Sequence, residues 1–248
     1  RYPLGDEFTL SLVNKYDNIV FEHHTKEEEE LHTYYDKSFY KKEVEFGPQI
    51  LRKSLAIVGV TKSIVDYEIK RAGLVSKSKF VHLNGINSEN TGLFHKQKPL
   101  LPINLLSVSS FQPWHGLDRI IKGLGNYTSP EEFRISLVGS GPCLNEIKSL
   151  IHERNLSDYV SLPGNFSSKE IAEIAAVSHL AVGSLGLHRI GLEDACPIKH
   201  REFCLLGLPI LFSCLDDDFP DSLPFIYRVS ADDKPIDFSS LKEFIIRL

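Results

Sequence analysis

Phe133-Arg134-Ile135-Ser136-Leu137-Val138-Gly139-Ser140-Gly141-Pro142 opens the part of the chain that decides the fold. Pro197-Ile198-Lys199-His200-Arg201-Glu202-Phe203-Cys204-Leu205-Leu206-Gly207-Leu208-Pro209-Ile210 closes it. Within this bracket and at its edge, short and nearly continuous apolar runs at 135–138, 160–162, 180–182 and 209–212 are bounded by Gly, Pro or Ser. Such runs suit parallel strands covered on both faces. The stretches 144–154, 168–177 and 198–206 carry apolar residues at helical spacing, so they are predicted to be the crossover helices. The predicted class is α/β with a parallel sheet. Ligands of such sheets lie outside the carboxyl ends of the strands, which directs attention to Ser109, Gly139, Gly164, Ser184 and the helix after Pro197.

Outward from this core, 248 residues with 42% apolar content are enough for one large or two ordinary domains. A net charge of −5 without a basic block gives a nucleic-acid partner little support. Cys143, Cys196, Cys204 and Cys214 show neither a CxxC pair nor zinc spacing, so they are predicted to be thiols in a reducing compartment. No apolar run spans a bilayer and no signal peptide is seen, which predicts a cytoplasmic location. The chain begins at Arg1 and contains no methionine. The expectation is therefore that an amino-terminal segment and the methionine positions are missing from this string.

Before the bracket, 18–22 reads as a strand leading into Glu22-His23-His24-Thr25. His24 is a candidate acid/base or substrate-orienting group, with a partly buried, backbone-bonded histidine as the equal alternative. Lys26-Glu27-Glu28-Glu29-Glu30 reads as a solvated helix start rather than an acidic metal site. A helix at 43–53, a strand at 55–60, a Thr61-capped helix at 62–71 ending near Gly73 and a strand at 79–83 follow. The polar, proline-containing stretch 87–102 reads as a linker, giving domains at 1–98 and 99–248.

The second domain starts with a strand at 103–109. Its loop, Ser110 through Trp114, His115, Gly116 and Arg119, places backbone amides, an imidazole and a guanidinium before a helix at 120–127, where a phosphate can sit. The alternative is that Trp114 packs on the sheet and Arg119 pairs with Asp118. Gly139 and Gly141 suggest close approach of backbone to a phosphate or sugar, or a simple turn. Gly164 and Phe166 can meet a flat base, and 186–194, with Gly186, His188 and Asp194, reads as a binding loop. Lys199 and Glu202 share one helix face; the carboxylate can take two ribose hydroxyls and the ammonium a diphosphate. Asp216-Asp217-Asp218 reads as a solvated turn, and no metal site is expected.

Taken together, 137–142, 160–164 and 197–210, with Trp114-His115-Gly116-Leu117-Asp118-Arg119 and Asn84-Gly85-Ile86, resemble the group 1, retaining nucleotide-sugar glycosyltransferases of GT-B fold. The resemblance covers about 79–213. It implies two Rossmann-like domains facing a cleft, the amino-terminal one incomplete in this chain because its first strand and glycine loop are not found. It further implies that Glu202 holds the donor ribose and 164–166 the base, with His115, Gly116, Arg119 and Lys199 around the diphosphate. The 186–194 loop would face the transferred sugar, Asp194 would stand where the family has its first paired acid, and Glu22 and His24 would provide the histidine side of the acceptor domain.

By that resemblance the substrates are a UDP- or GDP-sugar and a saccharide or lipid-linked acceptor in cell-surface polysaccharide synthesis, such as capsule or lipopolysaccharide, with no other cofactor. Lys41, Lys42 and Arg52 offer a peripheral membrane contact, against the simpler account of a solvated face. His115 stands where the family often has lysine. A nucleotide-sugar epimerase of the same scaffold and a donor-binding protein without turnover are the alternatives. A dehydrogenase ranks last, because the third glycine of its fingerprint is Leu144.

Overall fold

The computed structural model describes residues 1–74, 77–87 and 101–248. The chain divides into two compact units, one of Arg1–Asn84 with Ile190–Cys196, the other of Gly85–Arg189 with Pro197–Leu248. The expected 98/99 boundary and most of the predicted linker lie outside the described residues.

The first unit has helix α1 (Glu7–Lys15), strand β1 (Val20–His23), helices α2 (Glu27–Tyr34) and α3 (Lys37–Lys53), strand β2 (Ala56–Gly59), helix α4 (Lys62–Arg71) and strand β3 (Ser78–Val81). Its three strands are parallel, in the order β1-β2-β3. Thr61 caps α4 as expected, its hydroxyl accepting from the Ile64 amide, and Gly73 past the end has the left-handed φ of +66° that a C-cap glycine supplies. Helix α3 starts six residues before the predicted one, because Asp36 supplies the cap by accepting from the Ser38 amide at 2.7 Å.

The second unit begins with strand β4 (Ile103–Ser109) and a 3-10 turn at Pro113–His115, then helix α5 (Leu117–Asn126). It continues through β5 (Phe133–Gly139), α6 (Leu144–Glu153), β6 (Val160–Gly164), α7 (Ser168–Ala176), β7 (Leu180–Val182), α8 (Ile198–Leu205), β8 (Ile210–Phe212), β9 (Ile226–Arg228) and α9 (Phe238–Arg247). All strand pairs are parallel, in the order β6-β5-β4-β7-β8-β9. This is a doubly wound sheet whose direction of growth reverses between β4 and β7, the place where such sheets leave a crevice at their carboxyl edge.

The core of this unit is the covering of both sheet faces. Leu105, Ile135, Leu137, Leu180, Val182 and Leu211 from the strands are each at most 1% exposed, and Ile120, Ile121, Leu124 and Leu241 from α5 and α9 are completely buried. Phe133 and Phe238 meet edge to face at 4.8 Å, tying α9 to β5. None of the four cysteines forms a disulfide. Among the described residues no helix is long and apolar enough to cross a membrane.

Candidate donor site at the carboxyl edge of the second sheet

At the reversal point, β4 delivers Ser109 and Ser110, β7 delivers Gly183 and Ser184, and α8 begins beside them. Backbone bonds join the two loops: Leu185 donates to the His115 carbonyl at 3.1 Å and Gly186 to the Trp114 carbonyl at 3.2 Å. Gly116 has φ +64°, and a Cβ there would stand 2.7 Å from the Leu185 carbonyl carbon. Its glycine is thus required by the loop it touches, as well as by its left-handed backbone.

Lys199 is the outstanding polar residue. It lies in the first turn of α8, and its Nζ is buried without a hydrogen-bond partner. The stem of the side chain is partly exposed while the ammonium is not, and burial lowers its pKa from 10.5 to about 8. Buried ammonium groups are ordinarily paired. An unpaired one at a helix N-terminus forms a seat for an anion. Glu202, three residues on, is exposed, and among the described residues it forms no hydrogen bond with the Lys199 ammonium.

The helix is held in place by residues whose role the sequence did not disclose. His200 and Arg201 turn inward onto Asp216: His200 Nδ1 is 3.2 Å from Oδ2, and both Arg201 Nη atoms reach the carboxylate at 2.8 Å. Arg201 also bonds Asp218 at 2.5 Å. The expected solvated turn is therefore corrected at Asp216, which is 4% exposed, because a carboxylate with three donors is satisfied without water. His200 reaches further: its Nε2 accepts from the Ser184 amide at 3.5 Å, and a Cβ on Gly183 would come within 2.5 Å of the same nitrogen.

One expected diphosphate cation, Arg119, is corrected, and His115 is placed beside it. Arg119 is 1% exposed and spends its donors inside the protein. Nε bonds the Lys234 carbonyl at 2.8 Å, Nη1 the Leu185 carbonyl at 2.6 Å, and Nη2 the Ser230 carbonyl and Asp232, each at 3.1 Å. It staples the 230–234 loop to the sheet edge. Asp118 pairs with Arg189 at 2.9 Å and Lys122 at 2.8 Å. His115 is buried, and its Nδ1 accepts from the Gln112 amide at 3.2 Å. Burial, with the charge of Lys199, pushes its pKa down to about 2, so it is a neutral ring that can donate only through Nε2.

The glycine turn is also accounted for by packing. A Cβ on Gly139 would sit 1.9 Å from the Ser109 carbonyl oxygen, and one on Gly141 1.8 Å from that of Ser110. These glycines let β5 approach the end of β4, which is the simple-turn alternative. Gly164 has φ +84° and nothing within 4 Å of a Cβ position, so its backbone conformation alone calls for glycine. A cavity of about 280 Å³ lies at this edge, lined by Ser109, Ser110, Gly139, Asn165 and Phe166 among others. The half-buried Phe166 and the unpartnered, buried hydroxyl of Ser109 suit a flat polar ring. A larger cavity of about 770 Å³ lies beside α5 and α6; its charged lining is Asp118, Glu146, Glu153 and Asp233 with Lys122 and Arg189, and both of these cations are already paired with Asp118, Arg189 also with Asp233.

The 186–194 loop is divided between the units after Arg189. A Cβ on Gly186 would stand 3.1 Å from the Pro113 carbonyl oxygen, and His188 Nε2 lies 3.2 Å from Asp233. Asp194 belongs with the first unit, where the Ser63 hydroxyl donates to it, and Asn84 donates to the Cys196 carbonyl at 2.6 Å. In the same unit, His24 Nε2 meets Glu22 Oε2 at 3.1 Å, an interaction that lowers the Glu22 pKa; His24 thus has a carboxylate partner, where one of the two equal sequence readings had it bonded to backbone.

No family model and no curated protein matches this sequence. Solved structures do. The chain is similar to a mutant of S. aureus TarM in complex with fondaparinux, α-GlcNAc-glycerol and UDP, at TM-score 0.67 and 15% identity over 93% of this chain and 43% of that one. It is similar to sucrose-phosphate synthase from Thermosynechococcus elongatus, at 0.68 and 16%, over 96% of this chain and 60% of that one. It is also similar to Anabaena HepE in complex with UDP, at 0.66 and 16%, over 95% and 63%. The chain thus spans between two fifths and two thirds of these proteins. The fold is that of the GT-B glycosyltransferases, as the sequence resemblance implied.

Proposed function

We propose that the chain binds a nucleoside-diphosphate sugar at the carboxyl edge of the second sheet and transfers its sugar, with retention, to a saccharide or lipid-linked acceptor. One observation carries this: the buried, unpartnered ammonium of Lys199 at the start of α8, with the exposed Glu202 on the same face. In this reading Lys199 and the first amides of α8 meet the diphosphate and stabilise the charge that grows as the sugar leaves. Glu202 accepts from the ribose hydroxyls, and the base enters the Phe166 cavity. His115 donates a neutral hydrogen bond through Nε2. Glu22 and His24 form the acid/base pair offered to the acceptor. Cell-surface polysaccharide assembly, with peripheral membrane contact, is the setting this substrate class suits.

The test is thermal stability against a panel of UDP- and GDP-sugars, followed by product analysis with oligosaccharide and lipid-linked acceptors. A rise in Tm with one donor family and formation of a glycosylated product support the proposal; absence of any shift across the panel sinks it. A donor-binding protein without turnover is the second reading, favoured by the neutral His115 and the fully engaged Arg119. It is distinguished by a Tm shift without product.

A further inference from the structure

Beneath Glu22 and His24, strand alternation turns His23 inward. There it joins a polar cluster with no part in donor binding. His23, Glu27 and Glu68 are all buried, and one ligand-type atom from each lies within 4.8 Å of the other two. His23 Nδ1 is 3.1 Å from Glu27 Oε2, and the His23 ring stacks on Tyr2 at 4.6 Å. The predicted solvated helix start is thus corrected at Glu27, which is 6% exposed.

Charge is unbalanced here. Arg71 bonds Glu43 at 2.5 Å and places both Nε and Nη2 on Oε2 of Glu68, at 2.9 and 2.6 Å. Glu43 is further satisfied by the Gly5 amide at 2.5 Å and the Tyr2 hydroxyl at 3.1 Å. Three buried carboxyl groups therefore share one guanidinium. Two atoms are left over: Oε1 of Glu68 and Nε2 of His23 are buried without a partner, on side chains that are 0% exposed.

We propose that His23, Glu27 and Glu68 hold one divalent transition-metal ion, which fastens β1 to the first turn of α2 and to α4. One imidazole and two carboxylates favour zinc, manganese or cobalt over magnesium or calcium, which prefer oxygen alone. Metal–ligand distances of about 2.0–2.2 Å place ligand atoms roughly 3.3 Å apart, so side-chain adjustments of an ångström or so close the site. The ion supplies the positive charge the cluster lacks and satisfies an oxygen that no donor reaches. Its role is structural: it sets the end of β1 from which Glu22 and His24 project. The site is independent of the donor reading.

The test is cobalt titration of the full chain after dialysis against chelator. One Co²⁺ per chain is expected, with visible d–d absorption and without the ultraviolet charge-transfer band that a cysteine thiolate adds. Zn²⁺ should displace it and raise the Tm, whereas Mg²⁺ should not. Glu68→Gln and His23→Gln should weaken binding at least tenfold, while Lys199→Met keeps it. Should the variants not fold, X-ray absorption of the zinc-loaded natural sequence decides, with one imidazole and oxygen ligands but no sulfur expected. No bound cobalt, or a thiolate-ligated ion, overturns the proposal; in the first case protons shared between Glu27 and Glu68 do the neutralising.

Discussion

Arg201 grips Asp216 through two parallel bonds of 2.8 Å, and this pair decides which way α8 faces. His200 and Arg201 are turned inward to Asp216, while Glu202 beside them is exposed and Lys199 stands in the first turn of α8. Asp216→Ala leaves a guanidinium and an imidazole without their carboxylate. Breaking a buried pair from one side costs about 3–5 kcal/mol, to be measured by urea denaturation, and donor affinity should fall with it. Burial alone would raise the Asp216 pKa, but bonds from His200 and Arg201 outweigh it and leave the carboxyl below its ordinary value. Its contribution is then complete above the unfolded carboxyl's pKa and is lost as pH falls through the lower folded value. Below about pH 4 the natural protein should lose stability faster than Asp216→Asn.

Lys199→Met separates stability from binding. Charge-assisted bonds to a diphosphate are worth about 1.5–3 kcal/mol, so UDP or GDP affinity should drop roughly 10- to 100-fold by calorimetry. The unliganded variant should be at least as stable as the natural protein, since an unpaired buried ammonium disfavours folding. A drop in stability without loss of affinity would make Lys199 a packing residue.

The same lysine sets a pH dependence. Its folded pKa of about 8 lies below its ordinary 10.5, so the folded protein releases a proton that the unfolded chain keeps. Unliganded stability from this group should therefore rise with pH between these two values. Anion binding needs the ammonium and takes that proton back. Affinity for UDP should be flat below about pH 8 and weaken above it, by up to about tenfold per unit. Lys199→Met should abolish the slope.

Arg119→Ala should act on stability first. Four acceptors, at Leu185, Ser230, Asp232 and Lys234, lose their donor together. A cost of about 3–5 kcal/mol is expected, as for other buried charged networks broken from one side. Arg119→Lys should recover little, because a point ammonium cannot reach acceptors arranged around a planar fork. A variant with unchanged urea midpoint and weakened donor binding would instead put Arg119 in the site.

The succession from β4 to β8 was legible in the sequence because strands buried on both faces leave continuous apolar runs, and glycines or prolines mark their ends. That Lys199 and Glu202 stand three residues apart on one helix, α8, was legible for a similarly local reason. Arg119 was not. Its partners lie 66 to 115 residues away in the chain, and nothing near Arg119 distinguishes a phosphate ligand from a staple. The neutrality of His115 was not legible either, since it follows from burial and the proximity of Lys199. Helix α9 could have been found: Phe238, Leu241, Phe244 and Ile245 are buried at helical spacing behind Asp237, which caps the helix. The inward turn of His23 was readable from β1 alternation, but its meeting with Glu27 and Glu68 was not.

A crystal structure of the chain with UDP or GDP bound puts the site to the most direct test. The diphosphate should lie within hydrogen-bond distance of Lys199 Nζ, the ribose hydroxyls on Glu202 and the base against Phe166. A nucleotide seated elsewhere, with Lys199 still lacking a partner, would contradict it.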